Sequence, residues 1–526
     1  TIAWLVKQVP GHKGNVGMVG ISYPGFYTSM GMIDSHHALK AASPQAPIAD
    51  WFMGDDVHHH GAFFLSQNFD FFCWFAQRAE SPKHQEIKGF HFGTPDGYDF
   101  FLRMGVLANS DAVLLKGRSP IWTEFLQHPT YDAYWQARNI RPHLKNVRCA
   151  VMTVGGWFDA EDLFGPLETY RCVERQNPGI TNMLVMGPWA HGEWGRGSGE
   201  KLGPIRFRAN TAEYYRERIE LPFFRHFLKG DTNYTPVEAH VFETGTHQWR
   251  QFDSWPPAQA MSRTLHFRDG GRLAFEAPSE SGEAFDEFVS DPAKPVPYTN
   301  DRSTSYPRAY PIEDQRFVAS RPDVLVYETE ALTEDLTLVG PLRAVLHVST
   351  TGTDSDWIVK LVDVYPGDYP DPDPNPADLK LGGYQQLVRG DVFRGKFRNS
   401  FECPEPFVPG QVTRIEFALP DVCHAFRSGH RVMVHVQSTW FPLVDRNPQT
   451  FVNIPTAKPD DYRKAVHRLY RATGAASGLT VQVLGQWASA LPRSSSDDRG
   501  LGKACGSLAR SGPQCGGSGF PVVKSP

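Results

Sequence analysis

The sequence predicts an α/β domain followed by an all-β domain, and three observations carry that prediction. Short apolar runs at residues 16–20, 149–154 and 182–186 read as strands buried on both faces, as in a parallel sheet. Helix-like segments separate these runs over the first half of the chain. Beyond about residue 236, strand-like runs follow one another with no helical pattern between them.

Taken in order, residues 2–9 read as a helix leading into strand 16–20, and residues 26–32 as the start of a second helix. Ser22 falls on the turn between that strand and helix, in the spacing G-x-S-x-x-G set by Gly20 and Gly25, with Pro24 where a second glycine is expected one residue earlier. Strand 39–43 comes next. Residues 55–139 are rich in aromatic residues with helix-like stretches at 63–78 and 98–107, read as a helical cap that would exclude water from a pocket. Strand 149–154 runs into Gly155, Gly156, Trp157, Phe158 and Asp159, and strand 182–186 into Gly187, Pro188, Trp189, Ala190 and His191. Residues 211–229 form an amphipathic helical candidate broken in phase by Pro222, and Gly230 and Pro236 mark a boundary. The predicted strands after it are 324–327, 342–349, 357–365, 412–418 and 431–437, with residues 366–376, alternating Pro and Asp, as an extended loop. Residues 487–526 carry many Ser, Gly, Arg and Pro without periodicity and are expected to be disordered. The resulting domains are 1–56 with 140–235, a cap at 57–139, an all-β domain at 236–484 and a tail at 485–526.

Three strand ends that deliver Ser22, Asp159 and His191 in that order match the α/β-hydrolase order of nucleophile, acid and base. In this reading His191 takes the Ser22 proton and returns it to the leaving group, while Asp159 orients the imidazole. The plainer alternatives are Asp159 as the N-cap of a helix over residues 160–170 and His191 as a solvated loop residue.

The strings GISYPGFY (20–27), GGWFDAEDLFG (155–165), GPWAHGEW (187–194), DSDWIVKLVDVYP (354–366), GYQQLVRGDVFR (383–394) and WFPLVDRNPQTFVNIP (440–455) resemble the α-amino acid ester hydrolases. These belong to the broader cocaine-esterase and Xaa-Pro dipeptidyl-peptidase-like group of serine hydrolases (CocE/NonD). The resemblance covers residues 1–484. It implies an α/β-hydrolase fold with a helical cap and a C-terminal jelly roll. It also implies a triad of Ser22, Asp159 and His191, and an oxyanion donor in the backbone N–H of Tyr23. The family's three-carboxylate cluster for a substrate α-ammonium falls on Asp56, Glu161 and Asp162. Read without the resemblance, Glu161 and Asp162 are first-turn acids of a helix and Gly54-Asp55-Asp56 is a turn. Family members carry further strands, a leader and a second oxyanion donor upstream of the position of Thr1, so the fold is expected to be N-terminally incomplete. The nucleophile strand would then lie at an open sheet edge. A periplasmic or secreted location and homo-oligomerisation are also implied by the resemblance.

Composition agrees with a multidomain globular chain: 526 residues, 40% hydrophobic and 21% charged. A formal net charge of −5 gives no basic footprint for nucleic acid, and no run approaches the roughly 20 apolar residues of a membrane span. Seven scattered cysteines without C-x-x-C do not form a disulfide framework. His58, His59 and His60 are adjacent, a spacing that does not turn three ligands to one ion, so they are read as a polar cap segment and no metal is expected. No nucleotide-binding spacing occurs, and no cofactor is expected. The function read from the sequence is a serine hydrolase of α-amino acid esters, extending to β-lactam antibiotics with an α-amino side chain. The expected partners are therefore small esters, amides or short peptides. The alternatives are an Xaa-Pro dipeptidyl-peptidase, a general carboxylesterase, and an inactive truncated hydrolase that only binds.

Overall fold

Residues 16–45 set the pattern for the first half of the computed structural model, which describes residues 1–75 and 89–485. Helix α1 (Ile2–Gln8) precedes strand β1 (Val16–Ile21), helix α2 (Tyr23–Gly31) and strand β2 (Leu39–Gln45). A short hairpin follows, β3 (His58–His59) with β4 (Ala62–Phe63), and then β5 (Ala150–Gly156) and β6 (Asn182–Gly187). Strands β1, β2, β5 and β6 pair in parallel in that order. All residues of β5 and β6 are buried, which is why both read as continuous apolar runs. Strand β1 is the edge of the sheet, with Gly17 and Val19 exposed.

Past the small hairpin β7 (Lys201–Leu202) and β8 (Ile205–Arg206), the sheet continues further than the sequence suggested. Strand β9 (Ala239–Glu243) adds in parallel to β6, and β10 (Gln248–Phe252) closes the sheet antiparallel to β9. The first sheet therefore runs on past Gly230 and Pro236 as far as Phe252. Gly230 ends a helix in the left-handed conformation, a capping role, and the chain then re-enters the sheet through a fully buried strand.

Between β4 and β5 lie α3 (Ser66–Phe75), α4 (Gly97–Met104), α5 (Pro120–Gln127) and α6 (Ala133–Gln136). Their apolar faces gather Phe52, Phe69, Phe72, Phe101, Trp122 and Trp135 into one aromatic cluster. The predicted helix 63–78 is observed over α3, and residues 76–78 lie outside the described residues. The Asp96 side chain caps α4 by accepting the Asp99 N–H at 3.0 Å.

Helix α7 (Phe164–Gln176) packs on β5 and β6. It starts four residues later than the helix expected from residue 160. Asp159 Oδ1 accepts the N–H groups of Glu161 and Asp162 at 2.9 and 3.0 Å, which holds residues 159–162 in a side-chain turn instead of a first helical turn. Glu161 and Asp162 thus face a site and are not acids of a helix terminus. Helices α8 (Thr211–Tyr214) and α9 (Leu221–Lys229) are joined without a break by a π-helical turn, Tyr215–Glu220. The extra residue of that turn absorbs the phase slip seen in the sequence, and Pro222 sits harmlessly in the first turn of α9.

Eleven strands between Met261 and Val483 form the C-terminal domain, antiparallel apart from one parallel bridge between Arg272 and Glu328. All five predicted strands are found, two of them much longer, at Leu336–Thr350 and Thr413–Phe426. Their inward residues, among them Leu338, Leu346, Trp357, Val359 and Val434, make one large core. Two of the three histidines tie the β3–β4 hairpin to this domain: His59 Nδ1 lies 2.8 Å from Asp391 Oδ1 and His60 Nδ1 lies 3.0 Å from the Val392 oxygen, while buried His58 packs on Phe52 and Trp135. His59 also lines the pocket that holds Asp159 and Glu161, and β3 packs on the strand Gln385–Arg394. Cys149, Cys172, Cys403 and Cys423 are free thiols. Among the described residues no helix is long and apolar enough to cross a membrane. The expected tail at 486–526 lies outside the described residues.

Candidate active site

Ser22 sits between β1 and α2 with φ 66° and ψ −126°, a conformation that L-residues rarely adopt and that costs about 1–3 kcal/mol. Two glycines make this turn possible. A Cβ on Gly20 would lie 2.4 Å from the Pro24 carbonyl, and one on Gly25 would lie 2.3 Å from the Gln45 oxygen. That same Gln45 oxygen accepts the Ser22 N–H at 3.0 Å. The longer G-x-S-x-x-G spacing is thereby explained: Gly25 is placed where α2 crosses the end of β2, and Pro24 fills the inside of the turn. Below it, the Gln45 amide is fixed by Tyr215, Glu220 and Trp194 at 2.8–2.9 Å. Tyr23 is the first residue of α2, so its N–H has no acceptor within the helix and is free to meet a developing oxyanion.

Asp159 and His191 come together from the ends of β5 and β6. Asp159 Oδ2 lies 2.8 Å from His191 Nδ1, and the Asp159 side chain is fully buried. The close passage of the two loops needs Gly156, where a Cβ would lie 2.2 Å from the Trp189 oxygen. The His191 loop approaches the nucleophile turn through Gly192 and Gly195, whose Cβ positions lie 3.6 and 3.2 Å from the Ile21 side chain. Burial opposes a charge on His191, yet the carboxylates of Asp159 and Glu161 outweigh it and push the imidazole up to about 10.

A second group of carboxylates adjoins this pair. The Asp56 N–H donates to the Glu161 carbonyl oxygen at 3.0 Å, so the loop after β2 is stitched to the Asp159 loop. Asp56 Oδ2 accepts Trp51 Nε1–H at 3.1 Å. Glu161 Oε2 lies 3.6 Å from His191 Nε2. Asp162 is completely buried, and neither of its carboxylate oxygens receives a hydrogen bond from a donor among the described residues. Burial, reinforced by Asp56, Asp55 and Asp159, raises the Asp162 carboxyl well above the usual range. Burial also raises Asp56, and pushes Glu161 up to about 7. Burial and then the Asp56 and Asp162 charges raise the Tyr23 phenol, which lies near both.

Several contributors to this site have no signal in the sequence. Asp55, beside Asp56 in the chain, accepts the N–H groups of Ala49, Asp50 and Gly165 at 2.7, 2.9 and 2.7 Å. Tyr23 stacks on Phe75 at 5.4 Å and meets Trp51 edge-on at 6.2 Å, so α3 walls the nucleophile turn with rings. Arg389 of the C-terminal domain donates to the Trp157 carbonyl oxygen at 2.8 Å.

Comparison with known proteins is consistent with this geometry. The model of the X-Pro dipeptidyl-peptidase (S15 family) matches residues 1–193, and that of the X-Pro dipeptidyl-peptidase C-terminal non-catalytic domain matches residues 232–480. The chain is 24% identical to the cocaine esterase of Rhodococcus sp. (strain MB1 Bresler) over 508 residues, 92% of this chain and 83% of the esterase. Two solved structures, an aminopeptidase from the marine sediment archaeon Thaumarchaeota archaeon and an α-amino acid ester hydrolase, each superpose with a TM-score of 0.85 at 38% identity. Each comparison covers 92% of this chain and 79% of the other. An α/β-hydrolase-like first domain, a β-rich second domain and these relatives together make the chain a member of the CocE/NonD-like S15 family of hydrolases.

Proposed function

We propose that the chain is a serine hydrolase of α-amino acid esters that works through an acyl-enzyme on Ser22. In this mechanism His191 Nε2 takes the Ser22 hydroxyl proton as the oxygen attacks the ester carbonyl, and Asp159 at Nδ1 holds the ring and stabilises its charged form. The Tyr23 N–H receives the oxyanion. His191 then returns the proton to the departing alkoxide, and water repeats the sequence on the acyl-enzyme. The helices between β4 and β5 act as the cap, and the C-terminal domain is read as the family's jelly roll.

The observation that carries the amino-ester reading is Asp162. A buried carboxylate with no donor is costly unless something cationic completes it. Asp56 and Glu161 flank the same space, and a substrate α-ammonium offers three N–H donors to three carboxylates. A site of this kind disfavours anionic acyl groups.

A second reading, release of amino-terminal residues from short peptides, is favoured by the matched family description and by the archaeal aminopeptidase relative. It uses the same ammonium site with an amide in place of the ester.

Fluorophosphonate labelling tests the reading. Labelling is expected to be lost in Ser22→Ala and suppressed by phenylglycine methyl ester, but not by the same ester without its amino group. Turnover of an Xaa-Pro anilide would favour the peptidase. Absence of labelling in a folded protein would leave only a binding role.

A further inference from the structure

Glu161 faces two ways. One side of it belongs to the carboxylate group around Asp162, and the other lies 3.6 Å from His191 Nε2. His191 Nδ1 is engaged by Asp159 at 2.8 Å, so Nε2 is the nitrogen left to take a proton from Ser22. Glu161 and Ser22 therefore compete for one atom. We propose that Glu161 is a substrate-operated gate on the base: its carboxylate holds a proton on His191 Nε2 in the free protein, and the ammonium of an arriving amino ester neutralises that carboxylate and frees the nitrogen. This rests on the amino-ester reading and adds to it a reason for slow turnover, beyond weak binding, of esters that lack the amine.

The charged groups that face His191 act in one direction. Facing His191 are Asp159 and Glu161 from the loop after β5 and Asp56 from the loop after β2, carboxyl groups that all favour its charged form. Facing Glu161 are His191, Asp159, Asp56 and, from the C-terminal domain, Arg308, with Tyr306 in the same neighbourhood. With the imidazole pushed up to about 10, the charged form of His191 is favoured at neutral pH, and in that form Nε2 has no lone pair for the Ser22 proton. A substrate ammonium placed among these carboxylates brings a like charge close to the imidazolium and removes the partner of Nε2, and both effects lower the pKa of the ring. The proton leaving Nε2 passes to bulk water. Nε2 then accepts the Ser22 proton as the Oγ–carbonyl bond forms, and gives it to the leaving alkoxide.

Two measurements test the gate. The first is the pH dependence of fluorophosphonate labelling of Ser22, which needs a neutral His191 but no amino group, in the wild type and in Glu161→Gln and Glu161→Ala. Removing the carboxylate is expected to move the acid limb of labelling down by about one pH unit or more, which makes labelling at pH 7 about tenfold faster. The second is kcat against pH for phenylglycine methyl ester and methyl phenylacetate. The wild-type limb for the amino ester should lie below that for the phenylacetate, and the two should merge in Glu161→Gln. A labelling limb unmoved in both variants overturns the gate, as does one shared limb for the two esters in the wild type. A merely structural Glu161 would lower Tm and slow labelling at every pH without moving the limb, which also overturns it. The underlying reading fails separately, as equal KM for the two esters in a protein whose labelling limb still responds to Glu161.

Discussion

Arg389 donates one N–H to the carbonyl oxygen of Trp157 and another to that of Asp421, at 2.8 and 3.0 Å. The first of these oxygens stands two residues before Asp159, so a fully buried guanidinium of the C-terminal domain fixes the loop that presents the acid. Replacing it by Met should orphan both carbonyls, cost about 3 kcal/mol of stability and lower kcat well below the melting range. Calorimetry and steady-state kinetics on Arg389→Met check this; unchanged kcat with a lowered Tm would make the contact purely structural.

Gly25 is expected to tolerate no side chain. In Gly25→Ala the new methyl meets the Gln45 oxygen that already holds the Ser22 N–H. The helix or the strand must shift, at a cost of about 1–3 kcal/mol, and the nucleophile turn shifts with it. Fluorophosphonate labelling should fall at least about tenfold, a rate loss that corresponds to about 1.4 kcal/mol in the barrier.

Asp159→Asn should leave the fold intact, because Asn can still accept the Glu161 and Asp162 N–H groups, yet misalign the His191 ring. A fall in kcat of about 10⁴ with KM little changed is the expected signature. Near-normal kcat would remove Asp159 from the mechanism.

Asp162→Asn should separate function from stability. Asn cannot ionise at this donor-less position, so Tm should rise at pH values above the raised titration of Asp162, while KM for the amino ester rises and KM for its amine-lacking counterpart does not. The pH dependence has a definite sign. Asp162, Asp56 and Glu161 all have raised folded-state pKa values, so between the unfolded carboxylate range near 4 and about 7 the folded protein binds more protons than the unfolded one. Stability should therefore fall as pH rises through that window, and the slope should flatten in Asp162→Asn. Chemical denaturation at several pH values measures it.

The strands and their end residues were legible because they depend on local pattern: apolar runs, then Ser22, Asp159 and His191 at three run ends. The turn at 159–162 was not, since Asp159 reads equally as a helix cap until its Oδ1 is seen to take two successive N–H groups. The continuation of the sheet through β9 and β10 was hidden behind Gly230 and Pro236, which punctuate a chain whether it leaves a domain or only a helix. The histidines at 58–60 declare their polarity in the sequence, but their partner Asp391 lies 332 residues from His59. Arg389 is separated from Trp157 by 232 residues, and no local period reports such a contact.

Asp55 and Asp56 are the same residue twice, and burial raises both carboxyls, yet the main chain ties them differently. The first is a tie-rod: three main-chain N–H groups, two from the loop after β2 and one from the start of α7, end on its carboxylate, and Gly165 can reach it only because it has no Cβ, which would lie 1.7 Å from the Pro47 oxygen. The second is held by a single indole among other carboxylates. Truncating Asp55 to Ala should weaken the protein, because three main-chain N–H groups lose their acceptor. The distance between the carboxylates of the two loops is thus set by the main chain, and in the proposed amino-ester reading the pocket is a caliper for where an amine sits as much as a sensor of its charge.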